Sequence, residues 1–390
     1  MRAEAETALA QLASDGERRE LVHRVLTAAG VDYERRALRL APPASRTEAL
    51  RPFNGHVTSP DLLDRLRERF GDHLWSASQL EAYGRCPFTF FARYVLDLRE
   101  MEEPDEEMDG ATRGQLVHVC LERLHSALAA DLGDAALTTP ALKRAAKLIP
   151  PIVSRALDEF EATGRGGVPA LRGYRERELE ALLNVYLRWE IAENEKTLRR
   201  ATPRRRPRLF ELVFGMNGTP PVSLQRGGRV LKLRGKIDRV DEVIDEAARG
   251  WRYVVDHKTG GGSLSPLELY DEGAILQMPL YMLALERMKE QGSGVWGGAY
   301  QIVKGDCKRA APLHPRTLDK GRIREGSTTT EQTAASRLHD SLALAFAHVD
   351  AVQRGEFPAC IPACSKGCPT FCDMKDVCRE DRMEKGGPKR

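Results

Sequence analysis

The chain has 390 residues, and its 60 lysines and arginines nearly balance its 57 aspartates and glutamates, which gives a formal net charge of +3. A charge so close to zero does not by itself indicate a nucleic-acid partner. The content of 42% hydrophobic and 30% charged residues is that of an ordinary globular protein. Residues 1–10 carry acids where a signal peptide needs an apolar core, and no apolar run is long enough to span a bilayer, so we expect a cytoplasmic protein without membrane contact.

The chain is predicted to begin with a helical annex over residues 1–70. Ser59 can cap a helix, Pro60 suits its first position, and Gly71 can end it. The main domain is expected over residues 71–380. A basic tail, residues 381–390, completes the chain.

A second helix is predicted around residues 76–96, and a further helix is predicted to open at a capping box formed by Thr112 and Gln115. Its apolar residues recur at helical spacing and predict a buried stripe. The stripe consists of Val117, Leu121, Leu124 and Leu128, with Leu116 and Cys120 beside it. His118 and His125 lie on the flank of this stripe. We expect His125 to be a surface histidine or one whose hydrogen bonds are satisfied.

From residue 209 the apolar pattern changes from helical spacing to alternation, which is typical of strands. In the segment 229–241, Asp238 lies on the polar face. In the segment 251–258, Asp256 and Lys258 share one face because they are two residues apart. Strands are also predicted around LFELVFG and VWGGAYQIV. The helix before VWGGAYQIV either begins shortly before Pro279 or kinks there. Helices followed by strands and a crossing helix indicate an α/β core.

The two carboxylates and the lysine suggest a metal site. If their strands form a hairpin, Asp238 and Asp256 approach closely, and such carboxylates repel each other unless a cation lies between them. Hard oxygen ligands suit Mg²⁺ or Mn²⁺, and His118 could be a further ligand. Lys258 could orient a water nucleophile and stabilise charge on a phosphate. The alternative is that Asp256 and Lys258 form an ion pair of little consequence.

Four segments in a fixed order carry a family resemblance: GQLVH, GKIDRVD, VVDHKTG and LQMPLY, which begin at residues 114, 235, 254 and 276. Together they resemble the RecB-type nucleases of the PD-(D/E)xK superfamily over roughly residues 75–380. The resemblance implies a restriction-endonuclease-like core, in which helices flank a central mixed sheet.

The resemblance also implies residue roles. His118, Asp238 and Asp256 would bind the metal, with help from the backbone carbonyl of His257. Lys258 would be the catalytic lysine. Two more residues, Gln277 and Tyr281, match a Q-x-x-x-Y element thought to contact DNA near the scissile phosphate, although they could equally form the polar edge of a packed helix. Glu211 resembles an early strand glutamate of the family.

The cysteines suggest a second cofactor. Cys86, Cys368, Cys372 and Cys378 resemble the four ligands of a [4Fe–4S] cluster in AddB-type helicase–nuclease proteins, where the cluster joins the two ends of the nuclease domain. The spacing between the second and third of these cysteines is three residues instead of the commoner two. Cys360 or Cys364 could therefore replace one ligand, and zinc or free thiols are the alternatives. Cys120 is expected in the core, and Cys307 has no evident partner.

A basic run is the strongest local signal for DNA phosphates. It contains Arg199, Arg200, Arg204, Arg205, Arg206 and Arg208. Because two prolines interrupt it, it is predicted to be an exposed connector, and a flexible linker without DNA contacts is the alternative.

Taken together, these features predict a Mg²⁺- or Mn²⁺-dependent DNA exonuclease acting on single-stranded ends, with a structural [4Fe–4S] cluster. The sequence contains no G-x-x-x-x-G-K-[ST] motif, so the chain itself is not expected to hydrolyse ATP. Residues 53–66 resemble the joining segment of longer helicase–nuclease chains, which makes a helicase partner plausible. The competing hypothesis is a DNA-binding or scaffolding subunit without catalysis.

Overall fold

The computed structural model describes residues 55–98, 108–133, 135–199, 205–244, 250–260, 273–288, 294–319, 322–325, 329–358, 372 and 374. Residues 1–54 and the predicted basic tail lie outside this description. Within it, none of the helices is both long enough and apolar enough to cross a membrane.

The helices are α1 (Pro60–Gly71), α2 (Ala77–Arg85), α3 (Pro87–Phe90), α4 (Gly110–Leu132), α5 (Leu142–Ala146), α6 (Ile149–Ala162), α7 (Arg172–Arg199), α8 (Gln277–Arg287) and α9 (Thr329–Gln353). A π-helical turn, Phe91–Val95, continues α3. The strands are β1 (Trp75–Ser76), β2 (Arg205–Phe214), β3 (Val222–Arg226), β4 (Arg229–Ile244), β5 (Gly250–Lys258), β6 (Gly294–Ile302), β7 (Lys308–Leu313), β8 (Arg316–Asp319) and β9 (Arg322–Glu325).

A mixed sheet of seven strands is centred on β4. This strand pairs in parallel with β1 and antiparallel with β2, β3 and β5. The sheet continues from β5 to β6 in parallel, with α8 in the connection, and then to β7 in antiparallel pairing. The alternation of β4 follows the prediction, since Leu231, Leu233 and Ile237 are buried. The α/β fold with a central mixed sheet and flanking helices is therefore confirmed.

Two apolar clusters hold helices around this sheet. The first combines residues of α1, α2, α8 and α9 with β3 and β4. It includes Leu66 and Phe70 of α1, so the helix that ends the predicted annex shares the core of the main domain. The second cluster joins α4, α6 and α7 and contains the predicted stripe of α4, including the fully buried Cys120. Cys307 is buried in the second cluster.

Several local predictions are confirmed. Ser59 is the N-cap residue of α1, with Pro60 at the first helical position, and that helix ends at Gly71; the Ser59 side chain, however, makes no capping hydrogen bond. The helix that contains Pro279 begins only two residues earlier, at Gln277, where the missing amide hydrogen of proline breaks no helical hydrogen bond.

Two local predictions are wrong. The capping box of Thr112 and Gln115 does not open α4, because the side chain of Asp109 accepts hydrogen bonds from the Ala111 and Thr112 amides at 2.9 and 2.8 Å. Either residue has the chemistry of a cap, and the sequence alone did not favour the earlier one. The basic run is also not an exposed connector throughout, since Arg199 ends α7 and β2 begins at Arg205.

Candidate active site

The two predicted carboxylates lie side by side. Because β4 and β5 are antiparallel with Arg239 opposite Val255, the same register brings Asp238 next to Asp256. Asp238 is 8% exposed and Asp256 is 2% exposed. The Oδ2 atom of Asp238 accepts a hydrogen bond from the backbone amide of His257 at 2.7 Å. The hairpin on which the metal-site prediction depended is therefore present.

A possible metal site is formed by His118, Glu211 and Asp238, whose ligand atoms lie within 4.8 Å of one another. The Nδ1 atom of His118, on α4, lies 3.3 Å from Oδ1 of Asp238. One imidazole nitrogen and two carboxylates form a donor set suited to Mg²⁺ or Mn²⁺. This donor set fits the divalent ion that the fold implies, and Asp256 lies beside it.

Glu211 joins this group through an unusual backbone conformation. Its φ angle is +51°, in the left-handed region that side chains other than glycine seldom adopt. It lies opposite Asp238 in the β2–β4 ladder, between the pairs Phe210–Arg239 and Leu212–Ile237. Lys236 forms an ion pair with the Glu211 carboxylate. Strain of this kind concentrates at functional sites, which supports the resemblance of Glu211 to the family's strand glutamate.

Asp256 is held by Lys258 and Gln277. The Lys258 Nζ atom lies 2.6 Å from Asp256 Oδ2, and the same ammonium donates to Gln277 Oε1 at 2.8 Å. The side-chain amide of Gln277 in turn donates to Asp256 Oδ1 at 2.8 Å. Gln277 therefore fixes the acid and the lysine relative to each other. Its amide is not merely the polar edge of a packed helix.

The electrostatics of the two carboxylates differ. Burial and then the charge of Asp238 raise the pKa of Asp256 to about 7, despite the opposing effect of Lys258. Burial would also raise the pKa of Asp238, but its hydrogen bond to His118 and the charge of that histidine outweigh burial and lower it. For His118, burial is outweighed by Asp238, so its pKa is raised. A divalent cation between these groups would favour the ionised form of both acids.

An open cleft of about 910 Å³ leads to this site. Its wall includes His118, Asp238, Gln277 and Tyr281. Tyr281 lies one helical turn after Gln277 and packs on Gly235, where a Cβ atom would lie 2.8 Å from the tyrosine ring. The glycine of the GKIDRVD segment is therefore required for this close approach.

Two basic residues of the cleft were not among the predicted site residues. Arg165 and Lys236 both line it. Lys236 could have been suspected, because it is two residues from Asp238 on the polar face of β4. Arg165 follows α6 in a segment without a recognisable motif, and its guanidinium donates to Gln115 on α4 at 3.0 Å.

Behind the site lies a group of buried charged and polar residues that we call the buried ionic cluster: His125, Tyr186, Glu190, Arg239 and Asp241. Arg239 binds both oxygens of Asp241 at 2.6 and 2.9 Å and donates to Glu190 at 2.8 Å. His125 is buried, and its Nε2 atom lies 2.6 Å from the Tyr186 hydroxyl. Of the two predictions for His125, the histidine with satisfied hydrogen bonds is therefore confirmed, and the surface histidine is wrong.

His257 lies between the two groups of charges. Its side chain is buried, and its Nε2 atom lies 3.5 Å from the Tyr186 hydroxyl. Burial lowers the pKa of His257 to about 4. Its imidazole is therefore neutral at neutral pH, and a role for its backbone carbonyl as a metal ligand stays a prediction.

The described residues of the basic run make contacts within the fold. The Arg205 guanidinium lies 4.5 Å from the centre of the Tyr253 ring, Arg208 donates to Glu242 at 3.0 Å, and Arg199 donates to the Glu195 carbonyl at 3.3 Å. Arg206 is also in β2, whereas Arg200 and Arg204 lie outside the described residues. DNA binding by this run stays a prediction.

The cluster cysteines are only partly covered by the structure. Cys86 lies between α2 and α3, where its Sγ atom accepts a hydrogen bond from the Thr89 amide at 3.4 Å. Cys372 is partly exposed. Cys368 and Cys378, like the alternatives Cys360 and Cys364, lie outside the described residues.

A mixed sheet that brings acidic residues, a histidine and a lysine together beside an open cleft defines a nuclease of the PD-(D/E)XK class. The sequence profile of the PD-(D/E)XK nuclease superfamily matches residues 74–379. The chain belongs to this superfamily.

Similar proteins are named as subunits of an ATP-dependent helicase/deoxyribonuclease. The one from Symbiobacterium thermophilum is 31% identical over 290 residues, which cover 70% of this chain and 24% of that protein. The one from Moorella thermoacetica is 32% identical over 213 residues, or 54% of this chain and 17% of that protein. The chain thus spans about a quarter or less of the length of these relatives.

Proposed function

We propose that this protein is a Mg²⁺- or Mn²⁺-dependent deoxyribonuclease that degrades single-stranded DNA from its ends. The observation that carries this proposal is the buried pair Asp238 and Asp256, with Lys258 bound to the second acid at 2.6 Å. The names of the relatives support DNA as the substrate and a helicase as the partner, in a process such as repair.

The chain's own residues would act by positioning and charge. His118, Asp238 and Asp256, joined by Glu211, would hold the divalent ion, and that ion would lower the pKa of a bound water and neutralise charge on the phosphate. The His257 amide fixes the carboxylate of Asp238.

Lys258 would act on the substrate. Its side chain is 35% exposed, so its ammonium can reach a strand in the cleft while Gln277 holds it. There it can orient the attacking water and stabilise the charge that develops on the phosphate. Tyr281, on the wall of the cleft, would contact the strand near the scissile bond.

The test is the digestion of end-labelled DNA by anaerobically purified protein with Mg²⁺ or Mn²⁺. Linear single-stranded DNA should be degraded, whereas circular single-stranded DNA, which offers no end, should survive. Lys258→Ala should reduce the rate by about 10²–10³-fold and leave DNA binding in EDTA within about two-fold. Lys232→Ala is the matched control, because Lys232 lies on β4 and pairs with Asp72 at 2.7 Å, outside the cleft.

Each part of the proposal can fail separately. No cleavage by the wild type with either ion would favour the DNA-binding or scaffolding role. Cleavage of the circular strand would identify an endonuclease. A Lys258→Ala variant as active as the wild type would exclude the proposed role of the lysine.

We further propose a [4Fe–4S] cluster held by Cys86, Cys368, Cys372 and Cys378. The support is the sequence context of these cysteines, with one before and three after the catalytic segments. Anaerobically purified protein should be brown, and Cys86→Ser should lose visible absorption and iron. Cys120→Ser, in the helical core, is the control that should keep both. A colourless protein containing zinc would overturn this assignment.

A further inference from the structure

Arg175, on α7, is a buried cation that forms no ion pair with any of the residues that the structure describes. Its exposure is 8%, and within the described part of the chain neither Nη1 nor Nη2 has a hydrogen-bond partner. A guanidinium carries five donors and stays charged at every physiological pH. Since buried charges are normally paired, this residue requires an explanation that the packing of the fold does not supply.

The guanidinium lies at a cavity. Arg175 lines a space of about 160 Å³ between α4 and α7, together with Met108 and Leu116. A Cβ atom on Gly167 would lie 2.5 Å from Nη2 of Arg175 and 3.4 Å from the backbone nitrogen of Met108. The charged end of Arg175 is therefore next to the Met108 side of the cavity, where a glycine leaves it room.

The cavity and the catalytic cleft lie on opposite flanks of one helix. Gly110, Gly114 and His118 of α4 line the cleft, whereas Arg113 and Leu116 line the cavity. With 3.6 residues per turn, these two sets face away from each other. The separation is about one helix diameter, roughly 10 Å, and a strand that passes over the first turn of α4 could reach both.

An exposed apolar rim borders the cavity. Tyr174 is 60% exposed and Leu171 is 39% exposed, and both line it. Val168, 37% exposed, precedes them in the chain. An exposed tyrosine beside an arginine is the combination on which single-stranded nucleic acids stack their bases and place their phosphates.

We propose that this cavity is a second phosphate-binding site for the DNA strand, in which Arg175 binds a phosphate and Tyr174 stacks on a base. This proposal rests on the proposed nuclease function and specifies where the strand lies beyond the catalytic cleft. The charges of the described residues at the cavity fit an anion, because Glu178 is paired with Arg113 at 2.5 Å, and among these residues Arg175 is left without an ion-pair partner.

Equilibrium binding in EDTA tests the site without hydrolysis. Arg175→Gln should weaken binding of a fluorescent single-stranded oligonucleotide about ten-fold or more. It should also reduce the slope of log K against log salt concentration by about 0.7, the value for one phosphate contact on a single strand. Tyr174→Ala should weaken binding about five-fold or more, and Tyr174→Phe should restore it.

An abasic oligonucleotide of equal length separates the two contacts. Because it keeps the phosphates and lacks the bases, the effect of Arg175→Gln should persist on it and the effect of Tyr174→Ala should vanish. Arg177→Gln removes the same charge from an exposed position of α7, outside the residues that line the cavity, and should change affinity less than about two-fold.

Thermal melting gives a readout that a purely structural arginine would not produce. If Arg175 binds DNA, its buried charge destabilises the DNA-free protein. Arg175→Gln should then raise the melting temperature of the DNA-free protein. A lower melting temperature together with unchanged DNA affinity would mean that the guanidinium serves a carboxylate of the chain itself, and would overturn the proposal. If the wild-type protein does not cleave DNA but Arg175→Gln still weakens its DNA binding, the nuclease function is rejected and the proposed phosphate site is retained.

Discussion

The candidate active-site residues and the buried ionic cluster are two neighbouring groups of buried charges, and their charges are compensated differently. In the buried ionic cluster, Arg239 meets Asp241 and Glu190. Although burial alone would raise the pKa of Glu190, the charge of Arg239 holds it well below its usual range. In the active site, burial and a neighbouring carboxylate instead raise the pKa of Asp256 to about 7.

This difference in charge compensation distinguishes buried charges that stabilise the fold from buried charges that are available for a ligand. The cation and the anions of the buried ionic cluster form ion pairs with one another within the fold. The candidate active site holds three carboxylates, Glu211, Asp238 and Asp256, against the two lysines Lys236 and Lys258, and a divalent cation would balance the negative charge that remains. Burial alone does not mark a functional residue, whereas incomplete compensation does.

The largest effect is expected from breaking the buried ionic cluster. Arg239→Met leaves Asp241, which is 0% exposed, and Glu190, which is 2% exposed, without their cation. We expect a loss of about 3–5 kcal/mol in the free energy of unfolding, measured by urea denaturation. Arg252→Met, a partly exposed arginine on β5, should change stability by about 0.5 kcal/mol or less. Equal losses for the two variants would contradict the distinction between the clusters.

Substitution of Asp256, unlike that of Arg239, is expected to increase the free energy of unfolding. Its pKa is raised from the ordinary value of 3.8 to about 7, so the unfolded chain releases this proton at lower pH than the folded chain. Metal-free protein should therefore lose stability as the pH rises from about 4 to about 7. Asp256→Asn removes that loss and should be more stable than the wild type by about 1–3 kcal/mol at pH 8 in EDTA.

The control for Asp256→Asn is its pH dependence. The stability difference should shrink as the pH falls from 8 and approach zero near pH 3, where the acid is largely protonated in both states. A difference that stays constant between pH 4 and pH 8 would show that titration of Asp256 is not its cause.

A smaller loss of stability is expected for Tyr186→Phe. Its hydroxyl lies 2.6 Å from His125 and accepts a hydrogen bond from Arg239 at 3.1 Å. Removing it should lower the free energy of unfolding by about 1–2 kcal/mol. The cleavage rate measured well below the melting temperature should stay within about three-fold of the wild type. A rate loss well beyond that would mean that the buried ionic cluster acts on catalysis through His257.

Substitution of Gln277 is expected to have the smallest effect on stability but a clear effect on activity. Gln277→Ala removes the amide that joins Asp256 and Lys258, so these two residues keep only their direct ion pair. We expect stability within about 1 kcal/mol of the wild type and a cleavage rate reduced about ten-fold. Gln225→Ala, at an exposed position of β3, should change neither. Normal activity of Gln277→Ala would remove Gln277 from the active site.

The sequence predicted the part of the site that depends on strand periodicity. Asp238, Asp256 and Lys258 could be placed because alternation assigns a face to each strand residue, and the hairpin then joins them. His118 followed from its position on the flank of a buried stripe. The apolar pattern also predicted an α/β core, whereas the mixed sheet with flanking helices was implied by the family resemblance.

The buried ionic cluster could not be predicted, because a buried charge and a solvated charge have the same local pattern. Glu190 lies on a long, polar helix, where a glutamate normally faces water, and only the tertiary arrangement brings Arg239 to it. For the same reason, Arg205 and Arg208 were assigned to an exposed connector. Their partners, Tyr253 and Glu242, are distant in sequence.

The central position of β4 affects which parts of the protein can open locally. Asp238 and Arg239 are consecutive residues of a strand hydrogen-bonded to four others. Amide hydrogens in such a strand exchange with solvent only when most of the domain opens. We therefore expect Asp238, the proposed metal ligand, to lie in one of the most slowly exchanging parts of the molecule, and the motions that would admit a DNA strand to come from the helices on either side of the cleft.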